Sequence, residues 1–334
     1  MVADTFPVHP WAAEASPGVR FGVETLAMPD WGATRAFVQA IEGYGFDSLW
    51  IPDHPMVTGS ATWTHLAAFA TVTERIRLGP LVACAAYANP VVIARAIADI
   101  DLLSGGRALL GLGSGDMPHE FAQMGIPWLG GSQRQAALEE ALRIIHPLLH
   151  GEPVTSEGEH HSAADAVLVP PPAQPWVPIL VAGGGEKTTL RFAAHYADAS
   201  NIGPVSWAGG AFTPDDARRK FVALDGHLAN AGRPAEAVLR SGLLAAFISE
   251  DSVAAQAKFD GLPPFLLAFF EQLPVVGTPD DAVQRVQTMI EAGFRYVIFI
   301  VMPGDEETVR LLAEHVLPVA TAAGRETMGA NVTT

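Results

Sequence analysis

A (β/α)8 TIM barrel with insertions is the fold this sequence predicts. Short apolar runs alternate with amphipathic helical stretches eight times, the runs are continuous rather than alternating, and 334 residues suit one such barrel. The competing fold is an open doubly wound sheet. It fits less well, because GLGSGD at 111–116 is not G-x-G-x-x-G, lies mid-chain, and has no acidic residue closing an obvious next strand.

The elements follow in order. Residues 1–18 hold three prolines and no periodicity, so an irregular arm is expected ahead of a barrel domain over 19–323 and a tail over 324–334. VRFGVET (19–25) reads as strand one, and Asp30 caps the helix that Gly43 and Gly45 stop. FDSLWIPDH (46–54) is strand two, a helix spans 62–74, and IRLGPLVACA (76–85) is strand three. Asn89-Pro90 opens the next helix, and Arg107 begins strand four, RALLGLGSGDMPH. A helix over 131–149 precedes an insertion at 151–176, too long for a simple connection and suited to a hairpin. Strand five, a glycine turn, a helix and strand six occupy 176–203, and a long connection over 204–213 leads to a helix ending near Ala231. Strand seven (238–249), short covering helices over 250–275, a helix over 278–293, strand eight (295–303) and a helix over 304–323 complete the alternation.

Composition limits function. A formal net charge of −16 disfavours nucleic acid or an anionic membrane as partner. One cysteine, Cys84, leaves no intrachain disulfide and suits a reducing compartment. No apolar run approaches the roughly 18 residues of a membrane span, and no signal peptide is evident, so a cytoplasmic location is expected.

The chemistry is expected at the carboxyl ends of the strands. Asp53-His54 ends strand two and Asp116 ends strand four, which places a general acid/base pair on one rim. Each has a plainer reading, as a turn former or a cap. Gly111, Gly113 and Gly115, at every second position, let something large approach the strand. AGGGEKTT (182–189), with Lys187 and Arg191, is the best anion site, because a glycine turn before a helix presents N–H groups; the plainer reading is an ordinary turn. It is not a Walker motif, and no G-x-S-x-G elbow occurs. His146/His150 and His160/His161 lack a third ligand, so no metal is expected. Trp63, Met117, His119, Trp128 and Trp207 lie in or beside loops that can wall a substrate pocket.

From about residue 20 to 320 the chain resembles the bacterial luciferase-like superfamily, especially its deazaflavin-dependent (coenzyme F-420) oxidoreductase branch. The resemblance is carried by FDSLWIPDH, TERIRLGPLVACAAYANPVVIARAIADIDLLSGGRALLGLGSGD, the GIP at 125–127 and VPILVAGGGEKTTLRFAAHYADASN. It implies a barrel with a flavin or deazaflavin in its mouth, usually as a homodimer. Asp53 and His54 then lie beside the cofactor ring. Leu81 and Val82 form a strand-three bulge with a non-prolyl cis peptide, and Ser114, Gly115 and Asp116 form a polar loop whose acid can donate a proton. Ala182, Gly183, Gly184, Gly185 and Lys187 hold the cofactor phosphate. Two departures stand out: PMVTG follows His54 where some relatives have an aromatic residue, and Asp116 is one methylene shorter than the glutamate of related sugar-phosphate dehydrogenases.

The leading expectation is hydride transfer between coenzyme F-420 and a small organic substrate, with His54 and Asp116 managing protons. The alternative is a two-component monooxygenase using FMN reduced by a separate flavin reductase. A non-catalytic flavin-binding barrel is the third. The acidic total charge opposes the anionic tail of the deazaflavin unless local cations compensate.

Overall fold

The structure is a computed structural model that describes residues 8–13, 18–58, 61–270 and 274–318. Within the first eighteen residues, where an irregular arm was expected, Pro10–Ala13 forms one helical turn, α1. Strand β1 (Arg20–Glu24) leads to α2 (Trp31–Gly43), where Asp30 accepts the Ala33 N–H at 2.7 Å as the cap predicts. β2 (Ser48–Ile51) is followed by one turn, α3 (Pro55–Thr58), and by α4 (Thr62–Val72).

Strand three comes in two pieces, β3 (Arg77–Pro80) and β4 (Ala83–Cys84), parted by a cis peptide between Leu81 and Val82. α5 (Pro90–Ser104) starts on the Asn89 side chain and stops at Gly105, whose φ of 69° a glycine adopts freely. β5 (Leu110–Gly113), α6 (Pro118–Met124) and α7 (Gly131–Leu149) follow. The insertion contains an antiparallel hairpin, β6 (Val154–Ser156) with β7 (Ala163–Ala166). Glu140 anchors its tip by accepting the N–H groups of Glu159, His160 and His161.

β8 (Ile179–Ala182), α8 (Thr189–Tyr196), β9 (Ala199–Asn201) and α9 (Pro214–Asn230) continue the alternation. β10 (Leu239–Ile248), α10 (Ser252–Asp260), α11 (Pro264–Phe270), β11 (Pro274–Gly277), α12 (Pro279–Glu291), β12 (Tyr296–Ile300) and α13 (Glu306–Leu311) complete it. β11 was expected as part of the helical cover. It forms because β10 pairs with β9 only through Ser241, leaving Ala245–Ile248 an open edge that Pro274–Gly277 fills in parallel.

All strands of the main sheet are parallel, in the order β3-β2-β1-β12-β10-β9-β8-β5-β4. The ends meet: Leu78 N–H donates to Arg107 O at 2.9 Å and Leu109 N–H to Leu78 O at 2.8 Å. With β3 and β4 taken as one strand, eight strands therefore form a closed ring.

Two cores hold it. Phe21, Val23, Leu49, Ile51, Val297 and Phe299 face the helices. Their neighbours at alternate positions, Trp50, Leu109, Leu180, Leu239, Tyr296 and Ile298, fill the barrel interior. Trp11 of α1 joins this inner set, edge-on to Tyr296 with ring centroids 5.7 Å apart, and donates its indole N–H to Asp47 at 3.2 Å. It seals the amino-terminal floor, so the opposite end is the open mouth. Among the described residues no helix is long and apolar enough to cross a membrane.

Candidate active site

The glycine run of β5 does make room for something large, and that object is the protein's own bulge. A Cβ on Gly111 would sit 2.3 Å from Pro80 O and 2.9 Å from Val82 Cγ1, and one on Gly113 would sit 2.6 Å from Val82 Cγ2. Val82 therefore lies along the path the glycines clear, and the cis Leu81–Val82 step fills it. Gly115 (φ 79°) packs against Cys84 and Phe121. Cys84 is buried, and burial pushes its thiol up to about 12, so it is inert filling.

The end of β2 meets the segment after β5 as the sequence predicts. His54 Nε2 lies 3.9 Å from Asp116 Oδ1. The other imidazole nitrogen, Nδ1, is 2.7 Å from Oε2 of Glu120, a fully buried carboxylate on α6. Glu120 also accepts the N–H groups of Met56 (3.0 Å) and Val57 (3.2 Å) and the Tyr87 hydroxyl (3.1 Å). Four donors on one carboxylate leave it an acceptor only, so His54 presents Nδ1–H to it and a free Nε2 to the mouth. Asp53 is turned to support: it is buried and accepts the Cys84 N–H at 3.2 Å, tying β2 to β4, and burial raises its pKa.

Sequence reasoning named His119 and missed Glu120. Pro118 opens α6, and its first turn leaves His119 exposed while Glu120 points inward. It also missed Glu24. Gly22 and Glu24 share the inner face of β1, and in register Glu24 sits beside Trp50 and Ile300. Only 7% exposed, Glu24 has a carboxyl with no hydrogen-bond partner among the described residues, and burial lifts it to about 8.

The loop after β9 joins the remaining pieces. Trp207 Nε1–H donates to Asp116 Oδ2 at 3.2 Å, and the next residue's carbonyl, Ala208 O, accepts the Gly184 N–H at 2.8 Å. One loop thus touches both the acid and the glycine turn. In that turn Gly183 N–H is spent on Asn201 O, so Gly183 and Gly184 are not the anion donors the sequence suggests. Among the described residues no acceptor is found for the N–H groups of Gly185, Glu186 and Lys187, and the Lys187 side chain is exposed beside them. These groups fit a cofactor phosphate. Lys220 of α9, also missed, is buried beneath the turn and donates to Gly184 O at 2.7 Å. Ser114 is held by Gln135 Nε2 at 3.1 Å, and Ala182 is half-buried against the inner barrel.

The other residues singled out lie as follows. Met117 is half-buried at the start of α6. Trp128 stands edge-on to Phe121 at 4.8 Å under the Arg134 guanidinium at 3.8 Å. Trp63 packs against the strand–helix core rather than the mouth. His146 and His150 stack at 4.2 Å, and no metal-binding cluster occurs among the described residues.

This geometry has counterparts among known proteins. The chain matches the Luciferase-like monooxygenase family over residues 17–272. It belongs to that family. It is 32% identical to an F-420-dependent glucose-6-phosphate dehydrogenase of Beutenbergia cavernae, over 87% of this chain and 94% of that protein. Among solved structures, an F-420-dependent secondary alcohol dehydrogenase in complex with an F-420–acetone adduct matches with a TM-score of 0.78 at 18% identity, covering 91% of this chain and 99% of that one. An EDTA monooxygenase from Chelativorans matches at 0.76 and 16%, covering 92% and 94%. At these identities the structural matches speak to the fold.

Proposed function

We propose that this family member is an oxidoreductase using coenzyme F-420 for hydride transfer to or from a small organic substrate. One observation carries the reading. Asp116 and Glu120 flank His54, at 3.9 and 2.7 Å from its two ring nitrogens, on the same mouth as the Leu81–Val82 bulge and the glycine turn, bridged by the Trp207–Ala208 loop. Kinship with the Beutenbergia enzyme supports the cofactor.

When bound, the deazaflavin supplies a two-electron acceptor or donor at one ring carbon. The chain's residues do the rest. The N–H groups of Gly185, Glu186 and Lys187 hold the cofactor phosphate, and Leu81, Val82 and Ala182 offer an apolar support. As an alcohol C–H leaves as hydride, His54 Nε2 accepts the hydroxyl proton while Glu120 keeps the ring oriented and stabilises the imidazolium. Asp116, on the same rim, would hold the proton that balances the hydride. Carbonyl reduction runs these steps backwards. Glu24, an acid at neutral pH by its burial, offers a second hydrogen-bond donor inside the mouth. A homodimer is the assembly that the reading implies.

A reading as an FMN monooxygenase fed by a separate reductase is favoured by the same turn, which suits any flavin phosphate. Titration with both reduced cofactors, followed by an oxygen electrode, separates the two. F-420 binding without oxygen uptake supports hydride transfer. FMN binding with oxygen uptake replaces it.

A further inference from the structure

Beyond His54 and Asp116 the mouth is bounded by side chains of another character. β10, β12, α11 and the loop after β9 bring Val205, Leu243, Phe269, Ile300 and Met302 onto a cluster founded on Ala245, Phe247 and Phe270. Trp207, whose ring centroid is 6.2 Å from that of Phe269, extends it towards Asp116. Ile300 and Ala245 are register partners, and Glu24 pairs with Ile300 from the other side, so the apolar wall begins directly beside the buried acid. Val205, Leu243, Phe269, Ile300 and Met302 are all half-buried, and Trp207 is 58% exposed. Inward-facing strand residues such as Leu243 and Ile300 keep that exposure because they line an opening.

The side chains named on this wall are all apolar. Lys258 is engaged by Asp305 at 2.7 Å, Glu307 at 2.9 Å and Ile248 O at 2.8 Å. Lys220 is buried under the glycine turn, on the side assigned to the cofactor. Arg285 lines a cleft on the α9 and α12 side with Ala217, Thr288 and Phe294, and that cleft shares Leu243 with the wall. Asp116 stands at the mouth 3.9 Å from His54, with the buried Glu120 behind that ring. A phosphate dianion placed against Val205, Phe269, Ile300 and Met302 would lose its hydration to apolar side chains, on the side that holds the Asp116 carboxyl.

We infer that the substrate is an uncharged alcohol or carbonyl compound with an apolar body, not a sugar phosphate. The wall removes the apolar body from water, and the one oxygen reaches His54 Nε2. This rests on the hydride-transfer reading and narrows it. It also separates this chain from the glucose-6-phosphate dehydrogenase it is similar to.

The test is calorimetric titration of the purified protein, first with F-420 alone and then, at saturating F-420, with cyclohexanol and with glucose 6-phosphate. Cyclohexanol is expected to bind at least 10-fold more tightly than glucose 6-phosphate. F269A and M302A, both at partly exposed positions, are each expected to weaken cyclohexanol about 10-fold with F-420 affinity unchanged. Glucose 6-phosphate binding equal to or tighter than cyclohexanol, or wall variants without effect on cyclohexanol, would overturn the inference. Failure of F-420 to bind in the first titration instead sinks the cofactor reading, so the two failures are told apart.

Discussion

Replacing Glu120 by glutamine tests the orientation of His54 most directly. In the wild type, Oε1 accepts the Met56 and Val57 N–H groups at 3.0 and 3.2 Å, and Oε2 faces His54 Nδ1 at 2.7 Å. A glutamine satisfies the two backbone donors only with its oxygen on that side. Its amide NH2 then points at Nδ1, which must become the acceptor, and the imidazole proton moves to Nε2. The lone pair that faces the mouth is lost, and with it the base. General acid–base groups contribute about 10²–10⁴ in rate, so E120Q should lower kcat by that factor, roughly 3–5 kcal/mol of barrier, while the Kd for F-420 changes less than about 3-fold. Alanine is the wrong probe, because it removes the acceptor of the Met56 N–H and of the Tyr87 hydroxyl as well, at about 1–3 kcal/mol each, and so mixes a stability loss into the readout. Stopped-flow reduction of bound F-420 by an alcohol, with fluorescence titration of the cofactor, gives both quantities. An E120Q enzyme with wild-type kcat and wild-type cofactor affinity would refute the argument that Glu120 sets the histidine tautomer.

Other expectations follow from the same geometry. D116N should reduce turnover at least 100-fold with F-420 binding nearly intact, as read by steady-state kinetics beside cofactor titration. K220M removes the donor to Gly184 O, so it should cost about 1–3 kcal/mol of stability in urea melts and weaken F-420 binding by loosening the turn. Gly111→Ala places a Cβ 2.3 Å from Pro80 O, and overpacking of about 1–3 kcal/mol should lower Tm measurably. For Glu24, the folded pKa of about 8 stands above the ordinary carboxyl value of 4.5, so the folded state holds its proton longer. The stabilising contribution is complete below 4.5 and is lost as pH rises through about 8. E24Q does not titrate, so it should gain stability relative to wild type on going from pH 5 to pH 9, by on the order of several kcal/mol. A pH-independent difference between the two melts would show that Glu24 ionises freely.

The frame was legible because its signals are local and periodic. Continuous apolar runs marked the strands, Asp30 and Asn89 marked helix starts, and Asp53, His54 and Asp116 ended strands whose carboxyl ends share a rim. The residues that complete the site were harder to see because their signal is a single exception within a pattern. Glu24 is one carboxylate in an apolar strand, on the same face as Gly22. Lys220 is one cation at helical spacing from Ala217, Phe221 and Leu224, on a face that is otherwise buried. Glu120 stands next to His119, and only the entry angle of α6 decides which of the two turns inward. The glycines of β5 announced a close approach without naming the partner, since contact with Val82 depends on the path of a different strand.

Trp11 gives the barrel a dead end. A single helical turn stoppers the floor, so both reactants and both products share one doorway. Their traffic should form a queue, with the deeper guest unable to depart until the shallower one has gone. Product-inhibition patterns should therefore follow a fixed order rather than a random one. Clipping the chain before Arg20 would admit water to the underside of Tyr296 and blur that order long before it altered any group that handles protons.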